Sequence, residues 1–491
     1  VLLSACVSIA IVVEALRWLV VLTAVLYSVF YSAVQMMAAG ALFNIITGVD
    51  YITGALFLAF IVWFYVVTGG MKAGAWVGVL QFVLLVGGIV LLGFFVITQK
   101  EFGGWSGFSA AVAKLDQKFL TVPEVITWGL GKKGAASWTA VMILTYMFSL
   151  MGIQSSPAFT MSFFGIKSPK PLAWQQTFMS TFVVGFALFY FTAIQGMGAK
   201  LLEVAGVAAF QGLIDRNVVP TLMHNFLPPF VVGLVFMGAI AAIHSTAAPY
   251  INTGGSILLR DIYWRYFRKM EASDSEQIWV NRILTTVLTI VALYVGINSK
   301  AALVILGALA TAFGFVMYVL LLGVCWGFKF PRVGAVLGVA AGMFAVYLTY
   351  AVWPNPLSMH CAFWGTFVGL VVAYLCKGLG IKDDQETISR QAEIRQWLDS
   401  VDAPTESNKK WRSAMKFVVL IWYFFAIGPA CIWGNTAFSF AGFPPLWSWQ
   451  IFWWTVGIVM MWALTFKAGL AMTNETQLAR AEKEQMLVVK E

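Results

Sequence analysis

The sequence predicts an all-α polytopic membrane protein with about twelve transmembrane helices. Three observations carry that prediction. Of 491 residues, 60% are hydrophobic and 11% charged, against about 25% charged in a soluble domain. Apolar stretches of about 20 residues, the length that crosses roughly 30 Å of hydrocarbon, recur from one end of the sequence to the other. No segment between them is long enough for a soluble domain of useful size.

Taken in order, the apolar windows place spans at 17–45, 51–68, 75–98, 137–161, 175–197, 228–257, 279–297, 301–327, 333–352, 360–376, 414–434 and 447–467. The stretch ahead of the first, VLLSACVSIAIVVEALRW, is too short and too interrupted by Glu14 to be a span, and it lacks the basic start and small-residue cleavage site of a signal peptide. Residue 1 is valine, so the chain is expected to begin part-way through a longer protein. The segment 377–413 mixes both charge signs with few apolar residues. It is expected to be a short solvated helix and linker, with Trp397, Trp411, Lys409, Lys410 and Arg412 able to meet a membrane surface. The tail after Lys467 is short and charged.

Basic residues are retained in cytoplasmic loops. Numbering the loops alternately collects Lys72, Lys167, Lys170, the cluster Arg260, Arg265, Arg268 and Lys269, and the basic residues of 377–416 on one side, leaving only 8 of the 31 Lys and Arg on the other. The C-terminus is therefore expected in the cytoplasm, with the protein in a bacterial inner (plasma) membrane. The net charge of +9 follows from this bias and is no sign of a nucleic-acid partner. The five cysteines show no CxxC spacing and suit small apolar fillers. The three histidines are scattered, so a zinc hydrolase, and an enzyme of any kind, has no support.

Two spans carry polar residues that a bilayer tolerates only where protein or a water-filled cavity partners the backbone. The fourth contains Gly152, Gln154, Ser155, Ser156 and Pro157; the sixth contains His244, Ser245, Thr246, Pro249 and Asn252. Membrane Ser and Thr commonly bond their own helix or a neighbour. Here, though, Pro249 donates nothing to the Ser245 carbonyl and leaves an oxygen beside two hydroxyls. Such a group suits either packing or a weakly held Na⁺.

The run STAAPYINTGGSILLRDIY resembles the signature of the sodium:solute symporter family, with Ser245, Thr246, Ser256, Leu258, Asp261 and Tyr263 at matching places. VVTGGMKAGAWVGVLQ is similar to the family's junction between its fourth and fifth core helices, through Gly69, Gly70, Lys72, Ala73, Trp76, Val79 and Gln81. YSAVQMMAAGALFNIITGVDY has the cast of the third core helix. The family's Thr-Asp pair is Val77-Gly78 here, so an acidic group on the sodium exit path is missing.

The resemblance implies a 5+5 inverted-repeat core with its pocket at broken helices near the midplane. The first complete span aligns with the third core helix, so the first two core helices are expected to be missing. The organisation implied is a remnant at 1–16, core helices 3–5 at 17–98, a second repeat at 137–327, peripheral helices at 333–376 and 414–467, the cytoplasmic loop 377–413 and a tail at 468–491.

It also implies Na⁺ as coupling ion, held by the Ala242 carbonyl and the Ser245 and Thr246 hydroxyls, and alternating access as the mechanism. Ser149, Gln154 and Ser155 would face the solute, with Phe315 and Tyr318 lining the cavity; helix packing accounts for these residues equally well. His244 is either a coupling residue or a neutral imidazole bonded to another helix.

No Asp or Glu lies within the spans of the second repeat, which favours a neutral or anionic small solute, a monocarboxylate or an amino acid such as proline. Membrane lipid is the other expected partner. A solute-sensing, non-transporting receptor of the same fold is the alternative.

Overall fold

The computed structural model describes residues 14–128, 138–164, 170–299, 303–327, 329–402 and 404–471. The side chains of 70–76, which hold most of the GGMKAGAW motif, lie outside that set, as do most of the expected remnant and tail. Ten described helices are long and apolar enough to cross a membrane, or eleven if the bent pair Glu406–Ile427 and Pro429–Thr436 is one span. The remaining expected span, 137–161, is interrupted: helix Ala140–Met151 stops short and a second segment restarts at Pro157.

The first described helix, α1 (Glu14–Thr47), already includes the residues just ahead of the expected span 17–45. Glu14 does not interrupt it. The carboxylate accepts hydrogen bonds from Arg17 at 2.6 Å and is also met by the Tyr266 hydroxyl. A helical run follows, α2 (Tyr51–Ile97), started by Asp50, whose carboxylate accepts from the amides of Ile52 and Thr53. It contains two apolar spans, Tyr51–Gly69 and Val77–Ile97.

A short α3 (Trp105–Val112) lies between the spans, and α4 (Ala140–Met151) is capped by the Thr139 hydroxyl on the Met142 amide. After the break come α5 (Pro157–Phe164), the long run α6 (Pro171–Val204) and α7 (Val218–Phe226). The pivotal helix is α8 (Pro229–Ile257), opened by a proline at its first position, where no intrahelical N–H is needed, and prolonged with π winding through Leu258–Phe267. Then follow α9 (Asp274–Asn298), capped by Ser273, and α10 (Leu303–Val316).

Peripheral elements complete the chain. α11 (Tyr318–Trp326) leads to the pair α12 (Arg332–Tyr347) and α13 (Cys361–Gly378). The expected solvated helix is α14 (Gln385–Asp402), and α15 (Glu406–Trp422) and α16 (Pro445–Trp462) follow it. Cys361, Cys376 and Cys431 are buried and unpaired, as fillers should be.

α8 is held between α1 and the two halves of α2. Phe43 at the end of α1 meets both Phe57 and Phe236, Tyr65 meets His244, Gln81 meets His244, and Gly88 meets Gly238. Contacts therefore ascend α8 along the first half of α2 and descend it along the second. A straight helix would separate Tyr65 from Gln81 by about 24 Å along its axis. Both touch one imidazole, so α2 reverses direction between them.

α8 crosses the second half of α2 closely at Gly238, where an added Cβ would lie 2.5 Å from the Leu84 carbonyl oxygen. Only glycine lets these backbones approach so far, the usual device where apolar lipid gives helices no hydrophobic reason to associate.

Candidate functional site

The sodium candidates lie at the middle of α8. Ser245 Oγ and Thr246 Oγ1 each donate to the Ala242 carbonyl, both at 3.0 Å. In donating their protons the hydroxyls keep their acceptor lone pairs. All three residues are partly accessible rather than buried. α8 continues through Pro249, so the Ser245 carbonyl lacks its usual helical donor. Two hydroxyls and the Ala242 carbonyl they share thus meet within one turn, and the carbonyl released by proline lies one turn further along the same helix. Hard cations take such oxygen donors, and with no carboxylate among them the charge is neutralised weakly, which favours exchange over permanent retention.

His244, one residue away, points to a different neighbour. Its Nδ1 lies 2.6 Å from Gln81 Nε2 and its ring 4.7 Å from that of Tyr65, while its Nε2 is buried with no hydrogen-bond partner among the described residues. With the amide nitrogen as donor, Nδ1 is the acceptor and the ring proton sits on Nε2. His244 therefore ties α8 to α2. Gln81 was visible in the sequence as part of a motif, but nothing there pairs it with a residue 163 positions away.

The break between α4 and α5 holds the solute candidates. From Gly152 to Ser156 the backbone closes tight turns, with Gly152 N–H donating to Ser149 O at 2.9 Å and Ser156 N–H to Ile153 O at 3.0 Å. Ser149 Oγ is buried against Thr311 Oγ1 at 2.7 Å and Ala308 O at 3.2 Å. Ser155 Oγ donates to Gly314 O at 2.7 Å. A Cβ on Gly152 would come 2.1 Å from Thr311 O, so the break is seated directly on α10. Both serine hydroxyls are engaged in that seat.

Gln154 differs: it is exposed, and its Oε1 accepts from the Tyr318 hydroxyl at 3.1 Å. Phe315 is buried with its ring 4.8 Å from that of Tyr318. The candidates thus divide into a packing pair, Ser149 and Ser155, and an exposed Gln154 backed by the buried Tyr318 and Phe315.

Sequence reasoning missed the link between the two regions. Ser156 Oγ lies 3.3 Å from the hydroxyl of Tyr250, which is on α8 one turn beyond Thr246. Tyr250 stacks on Tyr27 at 5.2 Å and meets Tyr31 at 4.8 Å. A tyrosine cluster from α1 and α8 therefore joins the broken helix to the helix of the cation candidates. In so aromatic a chain no sequence signal separates these three tyrosines from packing residues.

The profile of the sodium:solute symporter family matches residues 13–342. The chain belongs to the sodium:solute symporter family. Among relatives of this symporter family, it is 23% identical over 346 residues to the uncharacterized symporter YwcA of Bacillus subtilis (strain 168), a match covering 69% of this chain and 65% of the relative.

It is also similar to a solved Na⁺-coupled sialic acid symporter in a substrate-bound outward-open state, with a TM-score of 0.61, 19% identity and 75% of each chain covered. That likeness carries the inverted-repeat fold. Family and apolar helices together make the chain an integral membrane protein. At Gly78 an added Cβ would meet nothing within 4 Å among the described residues.

Proposed function

We propose that the chain is a secondary active transporter that couples Na⁺ entry to uptake of a small neutral or anionic organic solute by alternating access. The observation that carries this is the convergence of the Ala242 carbonyl and the Ser245 and Thr246 hydroxyls within 3.0 Å, with a proline-released carbonyl one turn further along α8.

Ala242 O already accepts both hydroxyls, so a bound cation would draw at least one of them away and turn its oxygen toward the ion. The membrane potential would then drive each Na⁺ inward with about 2.3 kcal/mol per 100 mV. Gln154, Tyr318 and Phe315 would meet the solute with an amide, a hydroxyl and aromatic faces. Such a set suits a monocarboxylate or an amino acid such as proline, and an anionic group would gain from the helix N-terminus restarting at Pro157. The family membership and the fold likeness to a Na⁺-coupled symporter support the same conclusion.

The test is thermal unfolding of the purified protein in Na⁺ against K⁺ at matched ionic strength, with Thr246→Ala beside wild type. An ion bound only by the folded form stabilises it by RT ln(1 + [L]/Kd), about 2.7 kcal/mol at a concentration 100-fold above Kd. Na⁺-specific stabilisation that Thr246→Ala abolishes is the expected result. Equal stability in the two cations would refute a sodium site here. Na⁺ binding without Na⁺-driven uptake into proteoliposomes across a solute panel would point to a receptor of the same fold.

A further inference from the structure

Where the π-wound end of α8 meets the start of α9, a cavity of about 380 Å³ opens among Ser256, Leu259, Arg260, Gln277, Ile278 and Asn281, within the size range of small-ligand sites. It lies at the end of the bundle that carries the Arg260, Arg265, Arg268 and Lys269 cluster. Arg265 and Arg268 have carboxylate partners, Glu14 at 3.9 Å and Glu276 at 2.8 Å. Arg260 has none among the described residues. Its guanidinium is held in place instead, donating through Nη1 to Gln277 Oε1 at 3.0 Å and lying 4.1 Å over the Trp264 ring.

Gln277 is itself fixed by donating to Ala272 O at 2.9 Å. Beside it Asn281 Oδ1 is buried with no hydrogen-bond partner among the described residues. Arg282, next along α9, has no carboxylate partner among the described residues either; it lies 5.0 Å over Trp279, and its Nε is buried with no hydrogen-bond partner among them. Around these groups the surface is apolar, with Phe267 72%, Trp279 61%, Ile283 59% and Ile278 53% exposed.

We propose that this cavity binds the headgroup of an anionic phospholipid, with hydroxyl-bearing phosphatidylglycerol as the best-fitting class. A positioned, uncompensated guanidinium is a donor fork for phosphate. Ser256, Gln277 and Asn281 also line the cavity, polar partners that the glycerol hydroxyls of the headgroup would meet. The exposed Ile278, Trp279 and Ile283 give acyl chains an apolar path along α9, and basic pockets between transmembrane helices at a membrane face are where anionic headgroups bind. Nothing in this depends on Na⁺ coupling, so the two proposals stand or fall separately.

The experiment is native mass spectrometry of the purified protein equilibrated with phosphatidylcholine, phosphatidylserine or phosphatidylglycerol of identical acyl chains, for wild type, Arg260→Gln and Arg260→Lys. Wild type should retain phosphatidylglycerol about fivefold better than phosphatidylcholine, the preference one basic contact confers, with phosphatidylserine between them. Arg260→Gln should erase the preference and Arg260→Lys should keep part of it.

Equal retention of phosphatidylglycerol and phosphatidylcholine by wild type overturns the proposal whether or not the variants fold. So does an Arg260→Gln protein that still prefers phosphatidylglycerol. If millimolar glycerol 3-phosphate displaces the lipid as fully as phosphatidylglycerol itself does, the site serves a soluble phosphate ester and the lipid assignment fails.

Discussion

Replacing Gly238 by alanine tests whether α8 is positioned by its crossing with the second half of α2. The new Cβ would lie 2.5 Å from Leu84 O and 3.5 Å from Gly88 Cα. Ordinary carbon–oxygen contact begins near 3.4 Å, so the backbones must part by about 0.9 Å. Overpacking of that kind costs about 1–3 kcal/mol. Alanine also favours the helix by up to about 1 kcal/mol, which would mask part of the loss.

Gly233→Ala, on the same helix with nothing within 4 Å of its Cβ among the described residues, carries the helix gain without the clash. The difference between the two variants isolates the crossing at about 1–3 kcal/mol. Equilibrium unfolding of the purified protein in mixed micelles reads it. Equal stabilities for the two variants would show that α8 is not seated by this contact, and would remove the reason for Gln81 and His244 to meet where they do.

Other outcomes follow from the same geometry. A double-mutant cycle on Ser149→Ala and Thr311→Ala should return a coupling of about 0.6 kcal/mol and no more than about 1.7, the range for hydrogen bonds between membrane helices; zero coupling would free Ser149 for the solute. Because the Gln81 amide donates to His244 Nδ1, the imidazole serves as a neutral tie, and His244→Gln should leave the pH profile of uptake between pH 5 and 8 unchanged while lowering stability. A pH dependence lost in that variant would make His244 a coupling residue instead.

At the α14–α15 junction, Arg412 donates to both oxygens of Asp402, at 2.5 and 2.8 Å, and holds the carboxyl below its usual range. A depressed carboxyl contributes stability above the unfolded value near 4 and loses it as pH falls through the folded value. The Asp402 side chain is 50% exposed, so Asp402→Asn should cost no more than about 1 kcal/mol at pH 7 and progressively less as pH falls below the unfolded value; a pH-independent loss would indicate another role.

The positions of the spans were legible in the sequence because a bilayer leaves a chain little choice. Every backbone group in hydrocarbon must be satisfied within its own helix, so each crossing needs about 20 apolar residues and announces itself by composition. The break at Gly152–Pro157 was legible for the same reason, since glycine, serine and proline inside an apolar run demand a partner. The signature around Ser245 and Thr246 and the motif ending at Gln81 were enough to predict the family.

Which polar groups meet was not legible. Ser149 and Ser155 looked like solute ligands, yet both hydroxyls are engaged with α10, and Gln154 between them is the one presented. Glu14, which seemed to interrupt an apolar stretch, lies in a helix, where Arg17 and Tyr266 meet its carboxylate. Hydropathy fixes how deep a residue lies in the membrane but not which way it turns. That is set by close crossings such as Gly88 on Gly238, formed between positions 150 residues apart, and only the packed structure brings those together.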